Sequence, residues 1–149
     1  MQYWKHIRAF MRRVSKLAIT SCDIVTFRKA ASRVSAFYDA QLAPSGLRMS
    51  EFATLVRLAK EKRVRFEAFF ENSALEKSTV NRNLRNLSQA GLIRIGKPKA
   101  EGRGMVTPTR QGLAALKKAV PLWQTAQRRF EALNGCLLRE TLNGLMLEG

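Results

Sequence analysis

The sequence predicts a mainly α domain with a small β-hairpin, and three observations carry the prediction. Apolar residues recur at three- and four-residue spacing through most of the 149 positions, which is the period of a helix face. That period gives way to strand-like runs only at Leu92-Ile93-Arg94-Ile95 and Met105-Val106-Thr107, separated by the glycine-bounded loop 96–104. Finally, 27 Lys and Arg stand against 11 Asp and Glu, a formal charge of +16, so the expected partner is an anion. The length fits one domain. An apolar content of 46% supports a core and excludes collagen-like, mucin-like and wholly disordered chains. No run approaches the roughly 18 to 20 uncharged apolar residues of a membrane span, so a cytoplasmic protein away from membranes is expected.

The charge is local. Residues 1–20 hold five cations and no acid, and residues 76–112 hold eight cations and two acids; residues 21–75 (nine and six) and 113–149 (five and three) are close to ordinary globular sequence. In the first stretch Trp4, Ile7, Met11, Val14 and Ala18 form one face of a short basic amphipathic helix, with Lys5, Arg8, Arg12, Arg13 and Lys16 around it. Three outlets stay open for this extension: packing on the body, a membrane-surface anchor, or a nucleic-acid arm. Ile19-Thr20-Ser21-Cys22 resembles a lipoprotein cleavage box, but the apolar Leu17-Ala18-Ile19 before it is far shorter than the roughly 7 to 15 residues of an export signal.

From Asp23 to Leu42, Ile24, Phe27, Ala31, Val34, Tyr38 and Leu42 keep helical spacing until Pro44-Ser45-Gly46 breaks it. A second helix is expected from a Ser50 cap, with Phe52, Leu55, Val56 and Ala59 on one face and Lys60, Lys62 and Arg63 at its end. Phe66, Phe69 and Phe70 mark a short third helix running into the polar turn Glu71-Asn72-Ser73.

Residues 78–90 carry the sharpest signal. Val80, Leu84 and Leu87 make a narrow apolar stripe, while Thr79, Arg82, Asn83 and Asn86 recur on the other side, flanked by Ser78, Asn81 and Arg85, with no acid among them. Arg forks onto guanine, Asn pairs bidentately with adenine, and hydroxyls serve phosphates or bases. A helix that is merely solvated ordinarily mixes acids with its cations. Gly91 ends this helix, and the hairpin that follows has a basic tip of Lys97, Lys99 and Arg103. A polar-faced helix lying in the major groove leaves such a tip free to reach the narrower minor groove.

Thr109 is the expected cap of a long helix with Leu113, Leu116, Val120, Trp123, Ala126, Phe130 and Leu133, interrupted by Pro121; Gly135 separates it from a segment with Leu138, Leu142, Leu145 and Met146. These stripes exceed what so small a domain can cover, and a second copy is the simplest outlet.

Enzymatic readings find little to build on. Cys22, Cys136 and the single His6 make no metal-ligand pattern, no cofactor motif occurs, and no nucleophile–base set or carboxylate pair stands out. Gly91, Gly96 and Lys97 match the first part of a phosphate-loop pattern. The intervening residues are strand-like, however, and Pro98 stands where the magnesium-holding Ser or Thr belongs.

This order of elements resembles the MarR family of winged helix-turn-helix transcription regulators over residues 22–135. The phrases that carry the resemblance are Arg28 to Val34 with Tyr38-Asp39, Leu42 to Leu47, Ser78 to Leu87, Ala90-Gly91-Leu92-Ile93, Thr109 with Gly112, and Pro121-Leu122-Trp123. The resemblance implies a winged helix-turn-helix domain (48–112) between terminal dimerisation helices (21–45 and 113–149), with residues 1–20 as an extension of the single domain 21–149. It implies a bacterial homodimeric repressor without enzymatic activity. Recognition helix 78–90 would enter the major groove of a pseudo-palindromic operator in double-stranded DNA, and wing 96–104 would lie at the minor groove. Ser78, Thr79, Asn81, Arg82, Arg85 and Asn86 match the groove-reading stretch. Lys97, Lys99 and Arg103 belong to the wing, where Lys97 and Lys99 replace the usual Asp and Arg. A small-molecule effector is a further expectation, with Phe37, Phe52 and Trp123 as candidate cleft residues. Phe70 and Ser73 depart from the family's small and aliphatic residues, and Arg65 replaces the usual cap. An alternative follows: a degenerate winged helix that binds a protein, or nucleic acid nonspecifically. Ile24, not Cys22, matches the peroxide-sensing position, so no thiol switch is expected.

Overall fold

A computed structural model describes residues 23–71, 73, 75–97, 104–134 and 140. The basic segment 1–20, Cys22, Lys99, Arg103, Cys136 and the apolar positions of 138–146 lie outside the described residues. The chain divides into two units, Met1–Ala36 and Phe37–Gly149. In the first, the described residues form the opening turns of helix α1 (Asp23–Leu42). Its apolar stripe is uncovered there: Ile24 is 65% and Phe27 48% exposed.

The second unit holds the core. It begins with the last turns of α1 and continues through the short 3-10 turn Ala43–Ser45, helix α2 (Met49–Glu61) and strand β1 (Val64–Arg65). Helix α3 (Ala68–Glu71), helix α4 (Lys77–Gln89), strands β2 (Ile93–Ile95) and β3 (Met105–Pro108), and helix α5 (Arg110–Asn134) complete it. The strands form one antiparallel sheet in the order β1-β3-β2, with Val64 opposite Val106 and Arg94 opposite Thr107. This is a winged helix: α2, α3 and α4 pack over a sheet whose two longer strands form the wing. Leu42, Leu55, Leu58, Leu84, Leu87 and Val106 are its most deeply buried large side chains.

Several expectations are corrected. The sheet has a third strand, because Val64 and Arg65 pair with β3 and Phe66 N–H continues the ladder by donating to Gly104 O (3.0 Å); two residues are too few for a sequence period to register. Ser50 lies inside α2 rather than capping it. The helix begins one residue earlier, where the Glu51 carboxylate accepts from Arg48 N–H (3.0 Å) and the Asp39 carboxylate, reaching across from α1, accepts from Met49 N–H (2.7 Å). The buried face of α2 is Phe52, Leu55 and Leu58, while Val56 is 41% exposed and Ala59 lies at the surface. Both stripes are apolar, and the one turned toward α4, α5 and β3 is the one that buries. Pro121 does not interrupt α5, which runs helical through it with Pro121 at the exposed side.

Thr109 is the cap the sequence predicts, with a second role. Its Oγ1 accepts from Gly112 N–H (3.0 Å), opening α5, and donates to Gly91 O (2.6 Å) at the end of α4. One hydroxyl therefore ties the long helix to the helix carrying the polar face. Thr109→Val keeps the shape and removes both bonds. It is expected to cost about 1 to 2 kcal/mol, a melting-temperature drop of roughly 2 to 8 °C at this chain length. An unchanged calorimetric transition would dismiss the tie.

Candidate nucleic-acid interface

Helix α4 is held by its apolar stripe. Val80, Leu84 and Leu87 are all buried, and successive residues advance 100° around the axis, so the centre of the outward face falls near Arg82 and Gln89. Ser78, Arg82, Arg85, Asn86 and Gln89 are exposed. Thr79 is half-buried at one edge. Neither Arg82 nor Arg85 belongs to either ion pair found among the described residues, Arg57–Glu61 and Arg65–Glu71.

Two asparagines lie on the flanks of the helix. Asn83 lines a cleft of about 260 Å³ with Thr54, Arg57, Phe69 and Leu75. Asn81 lies on the opposite flank, half-buried, beside Phe66 and Phe70. The rings of Phe66 and Phe70 pack 5.5 Å apart, so the large residue at position 70 is accommodated at this edge while the stripe beneath α4 stays closed. Ser73 turns the chain into α4, its Oγ accepting from Leu75 N–H (3.0 Å).

The helix that precedes the turn is anchored by Arg57. Its guanidinium meets Glu61 (2.9 Å), donates to Ala68 O (3.0 Å) and lies 5.0 Å from the centre of the Phe69 ring. Only the Glu61 pair, one turn along the same helix, is local; the contacts that anchor α3, Ala68 O and the Phe69 ring, lie 11 and 12 positions away, so no local pattern in the sequence points to them. Gln89 is different: the three- and four-residue spacing of Arg82, Arg85 and Asn86, continued by one turn, reaches it. Arg94 on β2 is exposed, across from Thr107, and adds a cation to the wing's outer face. Lys97 is exposed at the start of the wing loop, and the two other predicted wing cations lie outside the described residues.

Gly91 (φ +70°) turns the chain out of α4, so a helix and not a strand precedes it, and strand β2 follows directly. The phosphate-loop context is therefore absent here. Of the candidate cleft residues, Phe52 and Trp123 stack 5.9 Å apart at the α2–α5 contact. Phe37 does not join them; it packs with Tyr38 and Phe130 (5.5 and 6.0 Å), where Tyr38 OH donates to Gln127 Oε1 (2.7 Å). Among the described residues, no group of three or more His, Cys, Asp or Glu is placed to hold a metal ion, and no helix is long and apolar enough to cross a membrane.

Neither a family sequence model nor a curated protein sequence matches the chain. Solved structures do. AbsC, a MarR family transcriptional regulator from Streptomyces coelicolor, shares the fold at TM-score 0.66 and 23% identity, over 86% of this chain and 90% of its own. The transcriptional regulator MosR of M. tuberculosis is 30% identical, with TM-score 0.74 over 88% of this chain and 97% of that one. The chain belongs to the MarR family of transcriptional regulators. MosR has also been solved in complex with DNA, and that structure is 32% identical with TM-score 0.71, covering 84% of this chain and 93% of its own. MarR proteins are regulators and not enzymes. In this MarR protein the polar face of α4 and the described cations Arg94 and Lys97 lie on consecutive parts of the chain, α4 and the β2 side of the wing.

Proposed function

We infer that this MarR protein is a sequence-specific regulator that binds double-stranded DNA as a homodimer and represses transcription from a two-fold-related operator. The observation that carries the reading is the outward face of α4: five exposed polar residues, two of them arginines, on a helix whose other face is fully buried. Such a helix offers base-edge and phosphate donors at a fixed height above a rigid body. The wing cations Lys97, Lys99 and Arg103 then lie at the neighbouring minor groove, where lysine supplies a point charge and not a fork. Self-association is supported by the uncovered apolar residues Ile24 and Phe27 on α1 and, separately, Leu113 and Leu133 on α5. The closed stripe under α4 favours operator recognition over a degenerate winged helix, since Phe70 has not displaced the helix's anchors. Phe52 and Trp123 are core residues first, and an effector entering between α2 and α5 would have to part their stack.

Selection from a randomised duplex pool tests the reading. The expected result is an enriched site with two-fold symmetry; a pool that stays random would remove sequence-specific recognition, and an asymmetric single site would remove the dimer. Arg82→Ala is expected to weaken the enriched site by about 1 to 3 kcal/mol and relax preference at one or two positions per half-site. Lys97→Ala, by contrast, should lower affinity for all sequences alike and make the salt dependence shallower by about two units of log–log slope, about one per half-site.

A further inference from the structure

Between the carboxy-terminal half of α4 and the wing runs a cleft of about 250 Å³, lined by Asn81, Arg85, Ser88 and Gln89 of the helix and by Phe66 and Ile95. We propose that this cleft is a seat for one backbone phosphodiester of the bound duplex, and that Arg85 is its clamp and not a reader of bases. The proposal rests on the DNA-binding reading and divides its two helix arginines into different jobs.

The division follows from where the side chains stand. Arg82 projects from the middle of the outward face, opposite the Val80–Leu84–Leu87 stripe. Arg85 stands about 60° away around the axis, toward the flank that carries Asn81 and Ser88, and unlike Arg82 it lines the cleft. A helix with its side chains is about 10 to 12 Å across, nearly the roughly 12 Å width of the major groove. Base edges therefore lie under the centre of its outward face, and the sugar-phosphate walls rise along its flanks. For the wing to reach the minor groove beyond, one of those walls has to pass between α4 and β2, which is where the cleft lies.

The lining suits that occupant. Arg85 and Ser88 supply a guanidinium and a hydroxyl, both able to donate to phosphate oxygens. Phe66 and Ile95 give an apolar floor on which a sugar edge can rest. No acid occurs between Lys77 and Ala100, so nothing along this stretch of chain repels an anion, and exposed Lys97 follows Ile95 by two residues on the wing side. At roughly 30 Å³ per water, the cleft has space for about eight waters, ample for a phosphodiester group.

The test uses the full chain and the site enriched from the random pool. A series of duplexes, each with one uncharged methylphosphonate replacing one phosphate, is titrated with wild type, Arg85→Ala, Arg82→Ala and Ser88→Ala. Wild type is expected to lose roughly tenfold at one phosphate per half-site. Arg85→Ala, which removes the clamp from both half-sites, should bind the all-phosphate duplex roughly a hundredfold more weakly and lose nothing further at that position. Its log–log salt slope should be shallower by about 1.8, about 0.9 for each of the two half-sites, while the ranking of base variants stays that of wild type. Ser88→Ala should follow the same pattern more weakly. Arg82→Ala should keep the methylphosphonate pattern and change the ranking. Arg85 is exposed, so its variant is expected to melt with wild type. If Arg85→Ala reorders base preference, or keeps the full salt slope, or remains sensitive at every methylphosphonate position, the clamp is overturned. Wild type that binds no duplex at all would sink the DNA-binding reading itself, a result visible before any variant is compared.

Discussion

Replacing Gly112 by alanine is expected to lower the melting temperature by roughly 6 °C or more, although helix propensity alone predicts the opposite sign. Gly112 is a buried residue in the first turn of α5. In that setting a glycine-to-alanine change ordinarily gains about 1 kcal/mol of helix propensity. Here a Cβ would overlap the carbonyl oxygen of Leu92 and stand 2.9 Å from its carbonyl carbon. These are backbone atoms at the α4–β2 corner, and Leu92 O also accepts from Thr109 N–H (3.0 Å). No rotamer change relieves the overlap, so one backbone must move away from the other. Overpacking of this kind costs typically 1 to 3 kcal/mol and more where backbone must shift. Taking a net loss of about 3 kcal/mol and 2 to 4 °C per kcal/mol at this length gives the stated drop. A variant that melts at or above the wild-type temperature would mean the corner opens freely. Because the same corner ends α4, weakened duplex binding is expected alongside.

Leu84→Ala is the second large effect. Leu84 is 1% exposed at the middle of the apolar stripe that seats α4. Truncating a leucine so placed removes its transfer free energy and leaves a cavity, together about 2 to 5 kcal/mol. The contrast lies half a turn away: Arg82→Ala, on the exposed face, should stay within about 0.5 kcal/mol of wild type in stability. Denaturant titration of the pair separates the two faces of one helix. Equal midpoints for Leu84→Ala and wild type would mean that the stripe does not anchor the helix. A large stability loss in Arg82→Ala would show that the outward face is part of the fold and not reserved for a partner.

The features legible in the sequence were those with local causes. The span of α4, the Gly91 stop, the hairpin and the Thr109 cap each follow from residues within a few positions of one another. The stripe Val80, Leu84 and Leu87 is unambiguous because no other face of that helix is apolar. On α2, two faces are apolar, and choosing Leu58 over Val56 and Ala59 required knowing what packs against it. The same applies to the cap supplied by Asp39 from ten residues away, to the two-residue strand β1, and to Arg57.

Among the candidate site residues the difference is one of angle. Residue types and spacing place Ser78, Asn81, Arg82, Arg85 and Asn86 on one helix, and the wing cations on the hairpin after it. Helix period already sets Arg82 opposite the apolar stripe; only the packed structure sets Asn81 against Phe66 and opens a cleft beside Arg85. The sequence by itself determined the elements, their order and the chemistry of their faces, because helix period, capping and turn residues act within a few positions of the chain. Tertiary structure alone decided which flank of α4 meets the wing and which side chain stands over the gap, because those depend on close packing between residues far apart in sequence.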